Sequence, residues 1–102
     1  MKTLTICGSM RFEKQMKNIA FELETRYGFN IIQCIYNEEC KELSYDDAEN
    51  LIFAHYKKID LSDGIYVTNI DNYIGKSTKQ EIEYAQANGK EIIYHSDFFE
   101  KS

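Results

Sequence analysis

Short apolar runs alternate with amphipathic stretches along the whole chain, and that alternation restricts its fold more than any other feature. Lys2 to Cys7 alternates and ends at Gly8-Ser9, which reads as a strand running into a turn. Phe12, Met16, Ile19, Leu23 and Tyr27 then recur at helical spacing, and Gly28 supplies the stop. Phe29 to Tyr36 reads as a second strand, followed by the charged connection Asn37 to Leu43. Ser44 precedes a helix with Asp46 and Asp47 in its first turn and the stripe Tyr45, Ala48, Leu51, Ile52, His55, Ile59. Ser62-Asp63-Gly64 breaks it before a third strand, Ile65 to Thr68. Ser77 or Thr78 caps a third helix to about Ala87, Asn88-Gly89-Lys90 ends it, and Glu91 to Tyr94 is a fourth strand. The tail His95 to Ser102 reads as a short cap or a frayed end.

Strands alternating with helices imply right-handed crossovers and a parallel sheet. The expectation is one domain over residues 1–102, a small three-layer α/β unit of the Rossmann-like (flavodoxin-like) kind with a four- to five-stranded, mainly parallel sheet. At 102 residues it can bury a core but not build an elaborate pocket alone, so a partner subunit is plausible. The net charge of −5 argues against nucleic-acid polymers and anionic membranes, both of which need cationic surface. It leaves room for a small phosphorylated ligand held by a few local donors. The N-terminus has no secretory pattern and no run is long enough to span a bilayer, so a cytoplasmic location is expected. Cys7, Cys34 and Cys40 show neither CxxC nor Cys/His metal spacing; reduced thiols, no metal and no cofactor are expected, with Cys7 and Cys34 packing in strands.

Two turns carry the residues suited to chemistry. Cys7-Gly8-Ser9-Met10-Arg11 brings a glycine, a hydroxyl and a guanidinium to a strand end that leads into a helix, an arrangement that suits an anion as well as plain capping by Ser9. Gly75-Lys76-Ser77-Thr78 resembles the end of a triphosphate-binding loop but lacks the preceding glycine, since Ile70 stands there, which excludes a Walker-type site. Glu81, in a helix that opens at the carboxyl ends of the strands, faces whatever ligand binds there. Its bland reading is a capping box, Thr78-x-x-Glu81, with Ser77-x-x-Gln80 as a second match. His55 reads most simply as a semi-buried histidine on its apolar stripe, and Asp60 and Asp63 as helix-end and turn residues.

Taken jointly, ICGSMR (6–11), SDGIYV (62–67) and GKSTKQEIEYAQANGKEII (75–93) resemble the nucleoside 2-deoxyribosyltransferase superfamily, most closely its nucleoside 5′-monophosphate N-glycosidase branch. The resemblance spans residues 2–94 in order and approximate spacing. It implies a retaining reaction at the sugar C1′, in which Glu81 attacks the anomeric carbon, forms a glycosyl ester and releases the base, with water or another base as acceptor. It also implies that Gly8, Ser9 and Arg11 hold the 5′-phosphate with Ser77 as a further donor, and that Cys7, Asp63, Asn69 and Gly75 border the substrate. Nearby Lys76 or Lys79 and the helix N-terminus would favour ionised Glu81. Departures from the pattern are Thr5, where several members carry an orienting tyrosine, Gly75, where members often have Ser or Asp, and His55, eight positions before Asp63, where many carry an acid that protonates the leaving base. His55 either replaces that acid as an imidazolium donor or marks altered or lost activity. Sites of this family are commonly completed by a neighbouring subunit, which implies a homodimer or higher homo-oligomer acting on a small-molecule nucleotide or nucleoside. The alternatives are a nucleotide-binding or regulatory protein without glycosidic chemistry, and an oligomeric interaction module built on tyrosines.

Overall fold

A computed structural model describes residues 1–100 of the chain, so the last two residues of the predicted tail lie outside the described residues. Four strands, β1 (Thr3–Cys7), β2 (Asn30–Ile32), β3 (Gly64–Val67) and β4 (Glu91–Tyr94), form one all-parallel sheet in the order β2-β1-β3-β4. Helices α1 (Glu13–Thr25), α2 (Tyr45–Asp60), α3 (Lys76–Ala87) and α4 (His95–Glu100) follow the strands in turn. The result is the expected α/β architecture, with helices on both faces of a Rossmann-like sheet. Among the described residues no helix is long and apolar enough to cross a membrane.

Alternation in the two central strands sorts their side chains between two cores. Leu4, Ile6 and Tyr66 turn to one face, where Met16, Ile19, Ala20 and Leu23 of α1 bury them. Cys7, Ile65 and Val67 turn to the other, against Ile59 of α2 and Ile82 and Ala85 of α3. Helix α1 starts after a 3-10 turn, Met10–Phe12, and ends at Thr25 because Gly28, in the left-handed region at φ 72°, reverses the chain. Tyr27 therefore leaves the predicted stripe and packs its ring on Phe98 of α4, 4.9 Å between centroids.

Two boundaries and one burial pattern differ from the sequence reading. The second strand covers only Asn30–Ile32 of the predicted Phe29 to Tyr36, pairing with Thr3–Thr5 at the sheet edge. Cys34 and Tyr36 still pack on the core beyond it, so their alternation is satisfied by burial without a ladder partner. Helix α2 is capped as expected, Ser44 Oγ accepting from Asp47 N–H (3.1 Å) and Asp47 Oδ2 accepting from Ser44 N–H (3.2 Å), but only Ile59 of its stripe is fully buried. Helix α3 begins at Lys76 with Gly75 as N-cap, so neither Ser77 nor Thr78 caps it and neither predicted capping box forms. Thr78 is instead buried against the sheet, which fixes the helix one turn further back.

The tail forms α4 directly after β4. The fully buried Tyr66 is held protonated by burial first, then by Tyr27 and Glu22, and its hydroxyl shares a 2.7 Å hydrogen bond with Nδ1 of His95. Burial in turn lowers the His95 pKa below 6.5, opposed weakly by Glu22. A histidine that resists protonation when folded contributes stability above its unfolded pKa and loses it as pH falls through the lower folded value. Melting temperature is accordingly expected to drop more steeply as pH falls below about 6.5 in the native chain than in His95→Gln, as read by circular dichroism. A second expectation concerns Gly64, where a Cβ would stand 2.5 Å from the Glu91 carbonyl oxygen of the neighbouring strand. Gly64→Ala is expected to cost about 1–3 kcal/mol, seen as a lower urea midpoint at unchanged slope.

Candidate active site

Strand order reverses at β1, since the chain moves to β2 on one side and returns to β3 on the other. The crevice at the carboxyl ends of these two strands is where parallel sheets of this type take ligands. Cys7 ends β1 in register with Val67, and Thr68 N–H donates to the Cys7 carbonyl (2.8 Å), closing the floor of the crevice. Gly8 follows where a Cβ would lie 3.0 Å from Thr68 Cβ and 3.2 Å from Met16 Sδ, so the turn can approach β3 only without a side chain.

Three side chains from three elements meet above that floor. His55 Nε2 of α2 lies 3.4 Å from Glu81 Oε1 of α3 and 3.4 Å from Cys7 Sγ of β1. Glu81 and His55 keep 18% and 12% of their side-chain surface exposed, enough to meet a ligand and little enough to strengthen the pair electrostatically. Burial pushes the Cys7 thiol well up, and the Glu81 charge adds to this, so the group is a neutral thiol and no nucleophile as it stands. The Tyr56 hydroxyl is raised by burial and then by the charge of Glu81, which marks another polar group within reach of the carboxylate's field.

Glu81 borders two hollows. One, about 220 Å³, is lined by Ile6, Met10, Cys34, Ile35, Leu51 and Ile52 with His55 and Lys58, and is largely apolar. The other, about 340 Å³, is lined by Gly8, Ser9, Tyr73, Gly75, Lys76, Ser77 and Thr78 and is the more polar of the two, with polar and apolar surface in near-equal measure. There the first-turn amides of α3 have no side-chain cap, and Ser9 Oγ accepts from Arg11 N–H at 3.3 Å. The Arg11 guanidinium lies 4.4 Å above the Tyr73 ring, which holds the cation at the edge of this polar hollow. The arrangement sets one carboxylate between an apolar chamber suited to a planar ring and a donor-rich chamber suited to an anion.

The structure brings Cys7, Gly8, Ser9, His55, Gly75, Ser77 and Glu81 to this crevice, with Arg11 beside it. It does not bring two other predicted residues there. Asp63 precedes β3 and lies at the opposite, amino end of the sheet, where Oδ2 accepts from Thr3 N–H (2.8 Å) and its carbonyl accepts from Glu91 N–H (3.2 Å). Asn69 exchanges two bonds with Ser96, Nδ2 to Oγ at 2.9 Å and Oδ1 from N–H at 3.0 Å, in a separate hollow bordered by Asp71 and His95. Thr5 is also engaged, its hydroxyl meeting Ser62 Oγ (2.6 Å) and the Lys58 carbonyl (3.0 Å). Sequence reasoning missed Tyr73 and the apolar wall of Ile35, Leu51 and Ile52. The wall residues were assigned to strand and core, and Tyr73 has no spacing signal.

No protein-family model matches the chain, and no characterised protein sequence does either. Among solved structures, the CMP N-glycosidase BcmB of Clostridium botulinum is similar over 91% of this chain and 70% of its own, with a TM-score of 0.59 and 21% identity. That likeness shows a shared fold.

Proposed function

We propose that the protein is a retaining N-glycosidase or deoxyribosyltransferase that cleaves the base from a nucleoside 5′-monophosphate or nucleoside. The observation that carries this reading is the position of the Glu81 carboxylate, set between an apolar and a polar hollow and 3.4 Å from an imidazole nitrogen. The base enters the apolar hollow. The 5′-phosphate takes the polar one, met by Ser9, the amides of the α3 first turn, Lys76 and Arg11. Glu81 then attacks C1′ as the C1′–N bond breaks, and the bonding pair leaves with the base. His55 as imidazolium donates its Nε2 proton to that base; water or a second base then attacks C1′ from the face opposite Glu81, the ester bond breaks with its pair returning to the Glu81 carboxylate, and the acceptor's proton passes to the now neutral His55, giving net retention. The likeness of fold to a CMP N-glycosidase supports this assignment, as does the joint resemblance of the three sequence segments.

A second copy of the chain is proposed to cover the apolar hollow. Ile35 is 64% exposed and Ile52 53%, and with Leu51 they make an open apolar wall where the crevice meets α2. Sedimentation of the native chain is expected to give a dimer or larger assembly and Ile52→Glu a smaller species.

Catalysis is tested by incubating the protein with a panel of ribo- and deoxyribonucleoside 5′-monophosphates and separating free base by chromatography. Release is expected from at least one, reduced roughly 10⁴-fold by Glu81→Gln and about 10²–10⁴-fold by His55→Ala. Absence of release across the panel, or equal release by Glu81→Gln, overturns the reading. The presence of His55 where relatives by resemblance carry an acid favours a binding-only protein as the second reading, and nucleotide-dependent thermal stabilisation without turnover would establish that instead.

A further inference from the structure

Cys7, His55 and Glu81 offer one sulfur, one imidazole nitrogen and one carboxylate oxygen, all within 4.8 Å of one another. A tetrahedral zinc ion with bonds of about 2.3 Å to sulfur and about 2.0–2.1 Å to nitrogen and oxygen has sulfur–nitrogen edges of ~3.6 Å and nitrogen–oxygen edges of ~3.3 Å. The corresponding separations here are 3.4 Å from Cys7 Sγ to His55 Nε2 and 3.4 Å from His55 Nε2 to Glu81 Oε1. Two of the three ligand-to-ligand edges of a zinc coordination tetrahedron are therefore present to about 0.2 Å, and the third, from sulfur to carboxylate, lies within 4.8 Å. The three ligands come from β1, α2 and α3, so each is fixed by a different packed element. His55 and Glu81 both line the apolar hollow, so a ligand in the crevice can reach an ion held between them.

We propose that Cys7, His55 and Glu81 form a binding site for Zn²⁺ or a similar thiolate-seeking divalent cation, with the fourth coordination position left to water or a ligand in the crevice. The ion displaces the thiol proton of Cys7 to solvent and takes the lone pair of neutral His55, so metal and imidazolium exclude each other. Its effect on turnover rests on the proposed role of Glu81: a carboxylate bound to zinc cannot attack C1′, and a metallated His55 carries no proton for the leaving base. Zinc is thus a reversible off-switch for the glycosidase, and the ion binds whether or not the glycosidase reading holds.

The test uses the full chain, freed of metal by chelator, titrated with Co²⁺ as a spectroscopic stand-in and then with Zn²⁺. Cobalt is expected to give a sulfur-to-metal charge-transfer band in the near ultraviolet and the intensified visible bands of a four-coordinate ion, both bleached by zinc. Cys7→Ser removes the sulfur band, His55→Ala and Glu81→Gln each weaken zinc binding by about tenfold or more, and Cys34→Ser and Cys40→Ser leave the band in place. Circular dichroism of each variant separates loss of ligand from loss of fold. Absence of a sulfur band in the native chain, or its persistence in Cys7→Ser, overturns the site. These spectra do not depend on turnover, so a failed glycosidase assay and a failed metal site are read separately. If the native chain releases base, micromolar-range zinc is expected to abolish that release and chelator to restore it, and release undiminished at saturating zinc overturns the switch while leaving the site.

Discussion

The pairing of β1 with β3 is the constraint on which the rest of the molecule depends. The two strands align Leu4 to Cys7 with Gly64 to Val67, and both are covered on both faces. Because side chains alternate along a strand, Ile6 is committed to the α1 core and Cys7 to the α2/α3 core. A register shift of one residue would exchange them and put an isoleucine beneath His55 and Glu81. Gly64 permits the next strand to pair closely, and Gly8 lets the chain turn against Thr68 as it leaves β1. Two residues without side chains, at opposite ends of the central pair, thus set how tightly the sheet is drawn together and how deep its crevice lies.

Helix α3 depends on the same crevice for its orientation. Had Thr78 capped it, Glu81 would have spent its carboxylate on a backbone amide. With Gly75 as the cap, Thr78 is packed inward and Glu81 stands in the second turn with its oxygens free to meet His55. The side-chain-free cap also leaves the first-turn amides available at the polar hollow. A single choice of helix start therefore determines both the environment of the carboxylate and the donors beside it.

Much of this was legible in the sequence, and the parts that were not share a physical cause. Periodicity located α1, α2 and α3 to within a few residues and gave β4 as Glu91 to Tyr94, because helix and strand periods are local properties, whereas α4 falls in the tail read as a short cap or a frayed end. The extent of β2 was not local: the alternation through Cys34 and Tyr36 is met by core packing, and only a ladder partner distinguishes that from a strand. Capping at Thr78 against Gly75 was decided by which residue the sheet buries, information that the T-x-x-E spacing does not hold. Glu81, Gly8, Ser9 and His55 lie together in the structure, since each follows or overlies a strand end. Asp63 was misplaced for a reason open to sequence reasoning: a residue that precedes a parallel strand lies at its amino end, away from the crevice. Asn69 does follow a strand end, but its commitment to Ser96 is a tertiary event with no sequence signature.

The size of the chain bears on how complete the site is. Rigid walls are supplied by the sheet and by α3, whereas the α2 side of the apolar hollow is formed by Ile35, Leu51 and Ile52, residues that remain open to solvent. A fully enclosed chamber requires more apolar surface than the short β2 and the long charged connection after it can provide. The polar hollow needs no such cover, because an anion gains from donors and helix amides even where water has access, while a planar base gains chiefly from apolar area removed from water. Under the proposed function, recognition of an anion is accordingly carried by this chain's own donors, and discrimination among bases falls to whatever packs against α2. That division follows from burying only one residue of the α2 stripe, Ile59, in the domain's own core.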